Sequence, residues 1–416
     1  MKRGFLTSKG KGKDGARRIA RNASETGEPV PFRPDSKFQF SDACRLYSGD
    51  PRIIAADHRL SSPSHFFFLP SAENATMVII DSLSNAKLIS LLPLWEKPIP
   101  PPPAEPAFAI RESGVHGVGM FATRPIARGE LILRERPTFV LNNYLSVHID
   151  QHHAIYESAL AGLSSSAQAA VCNLHSSFPE TPEMSRMRGI ILTNAISVSL
   201  PHDSTIRYHG ICPRLCRANH SCVPNAHLSH VSETFECKLI AIRPIAEGEE
   251  ITVSNLDSLS VSRAERREYL QERYKFECHC AACGLPEAEV AKSDTRRAAV
   301  AAYLKHMQAQ QTVTVARVKD LIKLAERDGM VEEALVLALL GMEYAESANN
   351  SPEALGLKAQ CMNFIRMLDG NDSNKLVAFA EQMNLSPEQL AKVLDDNTTE
   401  TLGLNIEGFF KTCWGV

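Results

Sequence analysis

The sequence lacks any long hydrophobic run. In its most apolar stretch, residues 77–95, the hydrophobic residues are interrupted by Asp81, Asn85 and Lys87. That stretch is therefore too polar to cross a bilayer. The N-terminus also lacks the apolar segment of a secretory signal. We therefore expect an intracellular protein, in the nucleus, the cytoplasm or both, with no membrane partner.

An excess of charge of either sign is also missing. The 45 Lys and Arg residues face 48 Asp and Glu residues, for a formal net charge of -3, which gives no overall attraction to nucleic acid. Basic residues concentrate only at the start of residues 1–36, a polar segment that we predict to be a disordered tail. The tail is either a nuclear or mitochondrial address, a contact for acidic partners, or a solvated segment without a specific role. A zinc-stabilised nucleic-acid binder is a third hypothesis for the function. The sequence disfavours it, because no basic stripe or recognition helix follows the tail.

The organisation of the chain changes at a proline-rich segment, residues 98–106. Polyproline of this kind is stiff, and we interpret it as a linker at a domain boundary. The preceding residues 37–98 have apolar patches without a clear period, and we assign no function to residues 37–106. From residue 107 onward, short β-rich runs alternate with turns, and the predicted strands lie in residues 107–113, 119–124, 130–135, 189–199 and 235–243. In the last of these, alternation places Phe235, Cys237, Leu239 and Ala241 on one face.

Helical patterns interrupt and follow this β-rich region. A helical insert is predicted between Leu141 and Arg188. After Leu259 the chain turns helical, and Ser262 with Glu265 forms a capping box for the helix over residues 263–274. From Asp294 to Asn397 the pattern predicts helices almost throughout, and the last predicted helix starts at residue 386. We expect a helical C-terminal domain over residues 285–416 and a monomeric protein.

Three of the 11 cysteines lie within six residues, as Cys278, Cys280 and Cys283. Thiols of an intracellular protein stay reduced, and three thiolates at this spacing fit one side of a tetrahedral Zn²⁺ site. A structural site needs a fourth ligand from elsewhere, and the candidates are Cys212, Cys216, Cys222, Cys237, His220 and His279.

Four further stretches occur in a fixed order before the cysteines. They read "GVHGVGMFAT" (114–123), "LTNAISVS" (192–199, a predicted strand with Asn194), "RANHSCVPNA" (217–226) and "GEEITVSN" (248–255). Together they resemble the SET-domain protein lysine methyltransferases, and most closely the SMYD-like branch, in its fungal type without the MYND finger. The match spans residues 107–284.

This resemblance implies an α+β fold. A β-rich SET domain over residues 107–255, with a pseudoknot and the insert at 141–188, would precede a zinc-binding post-SET segment at 256–284 and the helical domain. The resemblance also implies S-adenosyl-L-methionine as the cofactor. By position, the cofactor-binding residues would be His116, Val118, Met120, Asn194, Asn219, His220 and Phe276. The ligands of a structural Zn²⁺ would be Cys222, Cys278, Cys280 and Cys283, so that one metal ties a distant loop to the segment carrying Phe276.

The catalytic half of the resemblance is incomplete. Methyl transfer to lysine needs a neutral amine, which at a pKa near 10.4 is about one lysine in 2,500 at pH 7. The family holds that amine in a narrow channel walled by tyrosines. The second channel tyrosine matches Tyr274, but Asn255 stands where the first is usual. The run "GICPRLC" (210–216) resembles the family's Gly-x-Tyr-Pro-x-x-Ser run, with Cys212 in place of the tyrosine and Cys216 in place of the serine. Losing one well-placed transition-state group costs on the order of 10²–10³-fold in rate.

Two functions follow from this pattern. The first is an S-adenosylmethionine-dependent protein lysine N-methyltransferase that acts on a lysine of a histone or another protein or peptide. The alternative is a catalytically inactive SET protein that binds cofactor or peptide as an interaction module. The sequence favours the enzyme, because Tyr274 and the cofactor residues are present.

Overall fold

The computed structural model describes residues 53–55, 64–69, 75–82, 105–114, 117–142, 152–182, 184–200, 203–232, 234–307, 314–370 and 373–382. Its strands are β1 (Ile53–Ala55), β2 (Ser64–Leu69), β3 (Met77–Ser82), β4 (Phe108–Glu112), β5 (Val118–Ala122), β6 (Leu131–Glu135), β7 (Phe139–Asn142), β8 (Ile196–Leu200), β9 (Asp203–Ile211), β10 (Asn219–His220), β11 (Ala226–Val231), β12 (Glu236–Ala241) and β13 (Glu250–Val253). Its α-helices are α1 (His152–Ala161), α2 (Ser165–Cys172), α3 (Arg186–Asn194), α4 (Arg263–Tyr274), α5 (Glu287–Met307), α6 (Val315–Arg327), α7 (Val331–Ser347), α8 (Ser351–Asp369) and α9 (Asn374–Gln382).

The largest sheet joins strands from both sides of the proline-rich segment. Its order is β1-β2-β3-β7-β9-β8, and β3 pairs with β7 in parallel through Val78 opposite Phe139. Phe67 and Ile79 belong to the same buried cluster as Val140. Residues 53–82 therefore fold with the region that follows residue 107, and the expected boundary at 98–106 does not separate independent cores.

Two smaller sheets complete the β region, with strand orders β10-β13-β5-β4 and β11-β12-β6. The predicted strand at 235–243 forms as β12, and Cys237 and Leu239 do point into the main core. The alternating pattern was nevertheless a poor guide to burial, because all six residues of β12 are buried, including Glu236 and Lys238. The strand is central in its sheet and covered on both faces.

The helical insert starts and ends later in the chain than its sequence pattern predicted. Leu141 lies in β7, and the last insert helix, α3, continues to Asn194. The predicted strand at 189–199 was therefore wrong in its first half and correct only for β8. Tertiary packing overrides β propensity here: the Ser185 hydroxyl caps α3 by accepting the backbone N–H of Arg188 at 3.3 Å, and Ile190 and Ile191 are buried in a cluster with α1 and β2.

The helices after residue 262 follow the sequence prediction closely. The capping box is confirmed: Ser262 Oγ accepts the Glu265 N–H at 3.3 Å, and the Ser262 N–H donates to Glu265 Oε2 at 2.9 Å. Helix α5 begins at Glu287, earlier than expected, and the helix predicted from residue 386 lies outside the described residues. Within the described ranges, no helix combines the length and apolar character needed to span a bilayer.

The C-terminal helices pack on the β region and do not form a detached unit. Ile242 and Leu259 share one buried cluster with residues of α6 to α9, and α8 packs against β11 and β12. A buried hydrogen bond of 2.9 Å joins Ser229 Oγ of β11 to Asp369 Oδ1 of α8. The C-terminal helices are thereby joined to the sheet that contains β11 and β12.

Candidate functional site

Two loops thread past each other at the centre of the site. Strand β10 runs parallel to β13, with Asn219 opposite Thr252 and His220 opposite Val253. Beyond β10, the Ser221 N–H donates to Val253 O at 2.8 Å. The predicted pseudoknot is therefore formed by backbone pairing of "NHSCVPN" with "GEEITV".

Asn225 locks this crossing, although sequence reasoning gave that residue no role. Its side chain is 1% exposed. Its Oδ1 accepts the Thr252 N–H at 2.7 Å, and its Nδ2 donates to Glu250 O at 2.8 Å and to Glu249 Oε1 at 3.1 Å. The side-chain amide of Asn225 thus takes the place of a partner strand for the backbone groups of Thr252 and Glu250 in β13. Its position at the end of the "NHSCVPN" run was the only sequence signal for this role.

The four predicted zinc ligands lie together. The sulfurs of Cys222, Cys278, Cys280 and Cys283 are all within 4.8 Å of one another and all four residues are buried. Cys222 Sγ is 3.9 Å from Cys278 Sγ and 3.6 Å from Cys283 Sγ. Tetrahedral Zn²⁺ with bonds of about 2.3 Å needs sulfurs roughly 3.8 Å apart, so the residues fit this metal. Of the fourth-ligand candidates, only Cys222 joins the described group.

The surroundings of these sulfurs also suit a metal-bound tetrathiolate, which has a formal charge of -2. Arg266 is 1% exposed, and its Nε has no hydrogen-bond partner among the described residues. Arg297 is fully buried and donates to Cys222 O at 2.9 Å. Arg267 donates to the backbone oxygens of Cys278 and Cys283, each at 3.2 Å. Buried guanidinium groups need nearby negative charge, and Zn²⁺ held by four thiolates would supply it.

His220 connects the cysteine cluster to the segment after β13. Its Nδ1 accepts the Asn255 N–H at 3.0 Å, and its Nε2 lies 3.3 Å from Cys222 Sγ. Because Nδ1 is an acceptor, the neutral ring carries its proton on Nε2, which then donates to the sulfur. The ring of Phe276 lies 6.1 Å away, centroid to centroid. The imidazole therefore fixes the backbone at Asn255 relative to the cysteines.

Two cavities meet at this point. The larger, about 680 Å³, is lined by several of the predicted cofactor residues, namely Val118, Asn194, Asn219, His220 and Phe276. The smaller, about 330 Å³, lies between the β region and the C-terminal helices. Asn255 and Tyr274 line both cavities. They therefore lie at the shared boundary that a group would cross in passing from one cavity to the other.

Tyr274 stands in a row of aromatic rings. Its ring centroid is 6.5 Å from that of Tyr269 and 6.5 Å from that of Phe276. The Tyr269 hydroxyl donates to Asp257 Oδ2 at 3.2 Å. Burial raises the pKa of Tyr274, and the Asp257 carboxylate adds to that rise. The Tyr274 hydroxyl therefore keeps its proton at neutral pH.

The other predicted cofactor residues have varied positions. Asn194 ends helix α3, not a strand, and its Nδ2 donates to His175 O at 2.7 Å and Ile190 O at 2.8 Å. Asn219 Nδ2 donates to Glu250 Oε1 at 2.7 Å. Met120 is fully buried in the main core and does not line the larger cavity. His116 lies outside the described residues.

Sequence reasoning missed part of the larger cavity. Its lining also includes Asn173, His175, Arg186, Arg217 and Glu277. Three of these, Asn173, His175 and Arg186, come from the insert, where no metal-ligand or binding motif is visible. Only the fold of the insert against the pseudoknot brings them to the site, so no local sequence signal could have identified them.

The comparisons agree with this geometry. The family model described as SET domain matches residues 117–254. The Schizosaccharomyces pombe histone-lysine N-methyltransferase set5 is 30% identical over 192 residues, which cover 46% of this chain and 55% of that protein. The Mus musculus protein-lysine N-trimethyltransferase SMYD5 is 44% identical over 73 residues, 17% of either chain.

A third relative, the Homo sapiens histone-lysine N-methyltransferase SMYD1, is 33% identical over 111 residues, or 24% of this chain and 22% of that protein. The matched part thus covers about half of set5 and a smaller share of the two SMYD proteins. These matches, the threaded loops and the buried cysteine cluster lead to one assignment. The chain contains a β-rich SET domain, followed by a helical C-terminal region, with homology to Set5 and the SMYD-family lysine methyltransferases.

Proposed function

We propose that the protein is an S-adenosylmethionine-dependent protein lysine N-methyltransferase. The observation that best supports this function is the shared wall of Asn255 and Tyr274 between the two cavities. The larger cavity would hold the cofactor through Asn219, His220 and Phe276, and the smaller would hold the protein or peptide that carries the lysine. Such an arrangement keeps donor and acceptor in line from separate sides.

Bound S-adenosylmethionine supplies an electrophilic methyl group on a sulfonium. The chain's own contribution is to present a neutral amine to it. The half-buried wall at Tyr274 excludes water and so lowers the pKa of an entering lysine. The Tyr274 hydroxyl, which stays protonated, accepts a hydrogen bond from the amine through its oxygen and orients the lone pair.

Asn255 limits the rate of this reaction. Its backbone is held by His220 at 3.0 Å, so the side chain is well placed, but an amide offers no ring to wall the channel. A wider and wetter channel weakens desolvation of the ammonium. The same observation favours the second candidate function, a catalytically inactive SET protein that binds cofactor or peptide.

Methyl transfer separates these functions. The purified protein is incubated with radiolabelled S-adenosylmethionine and a panel of peptides and cell lysates, and cofactor binding is measured by calorimetry. Label on lysine that Tyr274→Phe strongly reduces supports the enzyme. Cofactor binding with no label on any lysine contradicts it, and a gain of labelling from zero in Asn255→Tyr would establish the inactive module. No heat with the cofactor contradicts the enzyme and leaves only an inactive protein that binds peptide.

We further propose that Cys222, Cys278, Cys280 and Cys283 hold one structural Zn²⁺. The sulfur spacing and the adjacent buried arginines support this metal. Elemental analysis should find about one zinc per chain, and chelation should lower the melting temperature. A protein that folds equally well with no bound metal contradicts the proposal.

The substrate and location are proposed from the relatives. Set5 and SMYD1 are named as histone-lysine N-methyltransferases, and SMYD5 is named as a protein-lysine N-trimethyltransferase. We therefore propose a protein substrate in the nucleus or cytoplasm, a monomeric enzyme, and no direct contact with nucleic acid. Fractionation of cells and mass measurement of the purified chain test the location and the oligomeric state.

A further inference from the structure

The guanidinium of Arg297, on helix α5, is a buried group beside the cysteine cluster that lines neither of the two cavities. Its side chain is 0% exposed. It donates to Cys222 O at 2.9 Å, to Asp328 O at 3.0 Å, to Ser293 Oγ at 3.3 Å, and to Leu259 O. Three of its four acceptors are backbone carbonyls from three separate parts of the chain.

Each of those carbonyls belongs to a segment that builds the site. Cys222 lies in the pseudoknot loop and is a predicted zinc ligand. Leu259 lies four residues after Asn255 and lines the smaller cavity. Asp328 precedes Gly329, which lines the same cavity and has a positive φ of 74°.

The α6–α7 turn is close-packed against the pseudoknot loop. A Cβ added at Gly329 would lie 3.3 Å from both Pro224 and Val223. The Leu259 N–H donates to Glu333 Oε1 of helix α7 at 3.3 Å, so the same residue is held from its other side. Arg297 and Glu333 therefore both help to fix the walls of the smaller cavity to one another.

Only arginine can make this set of contacts. Its planar fork offers five N–H donors in fixed directions, whereas a lysine ammonium offers three donors on a flexible stem and cannot span three carbonyls at these separations. The neighbouring Arg296 differs in kind, because it pairs with the Asp328 carboxylate at 2.7 and 2.9 Å and reaches neither Cys222 nor Leu259 in the described contacts.

We propose that Arg297 is a positioning residue that holds the pseudoknot loop, the segment after Asn255 and the α6–α7 turn together as the substrate cavity. The effect on catalysis rests on the proposed methyltransferase function, whereas the effect on local order does not. Arg297 touches neither cavity in the described lining, so it acts through the segments it binds.

The test uses the full chain, with its metal content checked by elemental analysis. Arg297→Lys keeps the charge and loses the fork; Arg296→Gln is the matched control, since it removes a neighbouring guanidinium bound to the same Asp328. Backbone amide exchange is measured by mass spectrometry in residues 255–260 and 328–333. If the wild type is active, steady-state KM and kcat are measured for a peptide that the wild type methylates.

Arg297→Lys should raise amide exchange in residues 255–260 about tenfold or more, because hydrogen bonds to a charged donor are lost. Arg296→Gln should leave that segment unchanged. For an active enzyme, KM for the peptide should rise more than tenfold with cofactor affinity within about twofold of wild type. Changed exchange without any methyl transfer in the wild type supports the positioning role while removing the proposed function.

Exchange and KM equal to wild type in Arg297→Lys overturn the proposal. So does the same increase in Arg296→Gln, since the effect would then belong to Asp328. If Arg297→Lys does not fold, Ser293→Ala removes the acceptor of Arg297 Nε, together with the bond of 3.1 Å from the Ser293 hydroxyl to Asp328 Oδ1. This variant should raise exchange in the same segment by a smaller factor. No change in that variant likewise overturns the proposal.

Discussion

Replacing Asn225 with alanine should unlock the pseudoknot at a cost that the structure allows us to work out. The side chain is 1% exposed and bonds two backbone groups of β13 closely, the Thr252 N–H at 2.7 Å and Glu250 O at 2.8 Å. A buried backbone group left without a partner costs about 1–3 kcal/mol. The third bond, to the partly exposed Glu249 carboxylate, adds little.

The two lost backbone partners together should lower the free energy of unfolding by about 3 kcal/mol, since Thr252 is only half-buried and water can reach part of it. The measurement is urea unfolding followed by far-ultraviolet circular dichroism. Asn173→Ala is the control, because Asn173 is exposed, and it should change the free energy by less than about 0.5 kcal/mol.

A second variant separates hydrogen bonding from packing. Asn225→Asp keeps an acceptor for the Thr252 N–H but loses the donor to Glu250 O and places a negative charge beside two glutamates. We expect it to be destabilised by at least as much as alanine. If Asn225→Ala lost less than about 1 kcal/mol, the amide would not be locking the crossed loops and the reasoning would be refuted.

Three further predictions concern the metal, the catalytic wall and pH. Cys222→Ser should lose bound zinc and melt at a lower temperature, measured by elemental analysis and calorimetry, whereas Cys172→Ser, outside the cluster, should keep the metal. Tyr274→Phe should lower kcat about 10²-fold with little change in cofactor affinity, because only the hydroxyl is removed; equal kcat would exclude Tyr274 from the reaction. Burial raises the pKa of Glu135 from 4.5 to about 7, against two backbone N–H groups that favour its charged form. Because the unfolded chain loses that proton at lower pH, Glu135 destabilises the fold progressively between pH 4.5 and 7, by at most about 3 kcal/mol. Glu135→Gln should therefore flatten the stability profile across that range in urea unfolding, and a profile parallel to wild type would show that another group controls it.

Local signals in the sequence were reliable where the chemistry is local. The capping box at Ser262 formed as predicted, since both partners lie within one helical turn. The cysteines at 278, 280 and 283 came together because their spacing alone brings them close. Identifying Cys222 as the fourth member needed the family resemblance, because nothing in its local sequence separates it from Cys212 or Cys216.

Signals failed where burial decided the conformation. Residues 189–194 have β-branched and apolar side chains that favour a strand, but their packing against α1 and β2 selects a helix. Strand β12 carries an alternating pattern that predicts one buried face, and both faces are covered. In each case the deciding contacts come from residues distant in the chain.

The sequence by itself determined the SET domain, the four cysteines that come together and the asparagine at position 255, where the resemblance predicts a channel tyrosine, because each depends on residue identity and order. Only the tertiary structure decided that Asn255 and Tyr274 separate two cavities, that Asn225 locks the crossing of β10 and β13, and that Arg297 ties the C-terminal helices to the site. These features depend on which distant backbone groups are buried without a sheet or helix partner. A buried carbonyl or N–H must be satisfied, and the side chain that satisfies it is known only once the chain is folded.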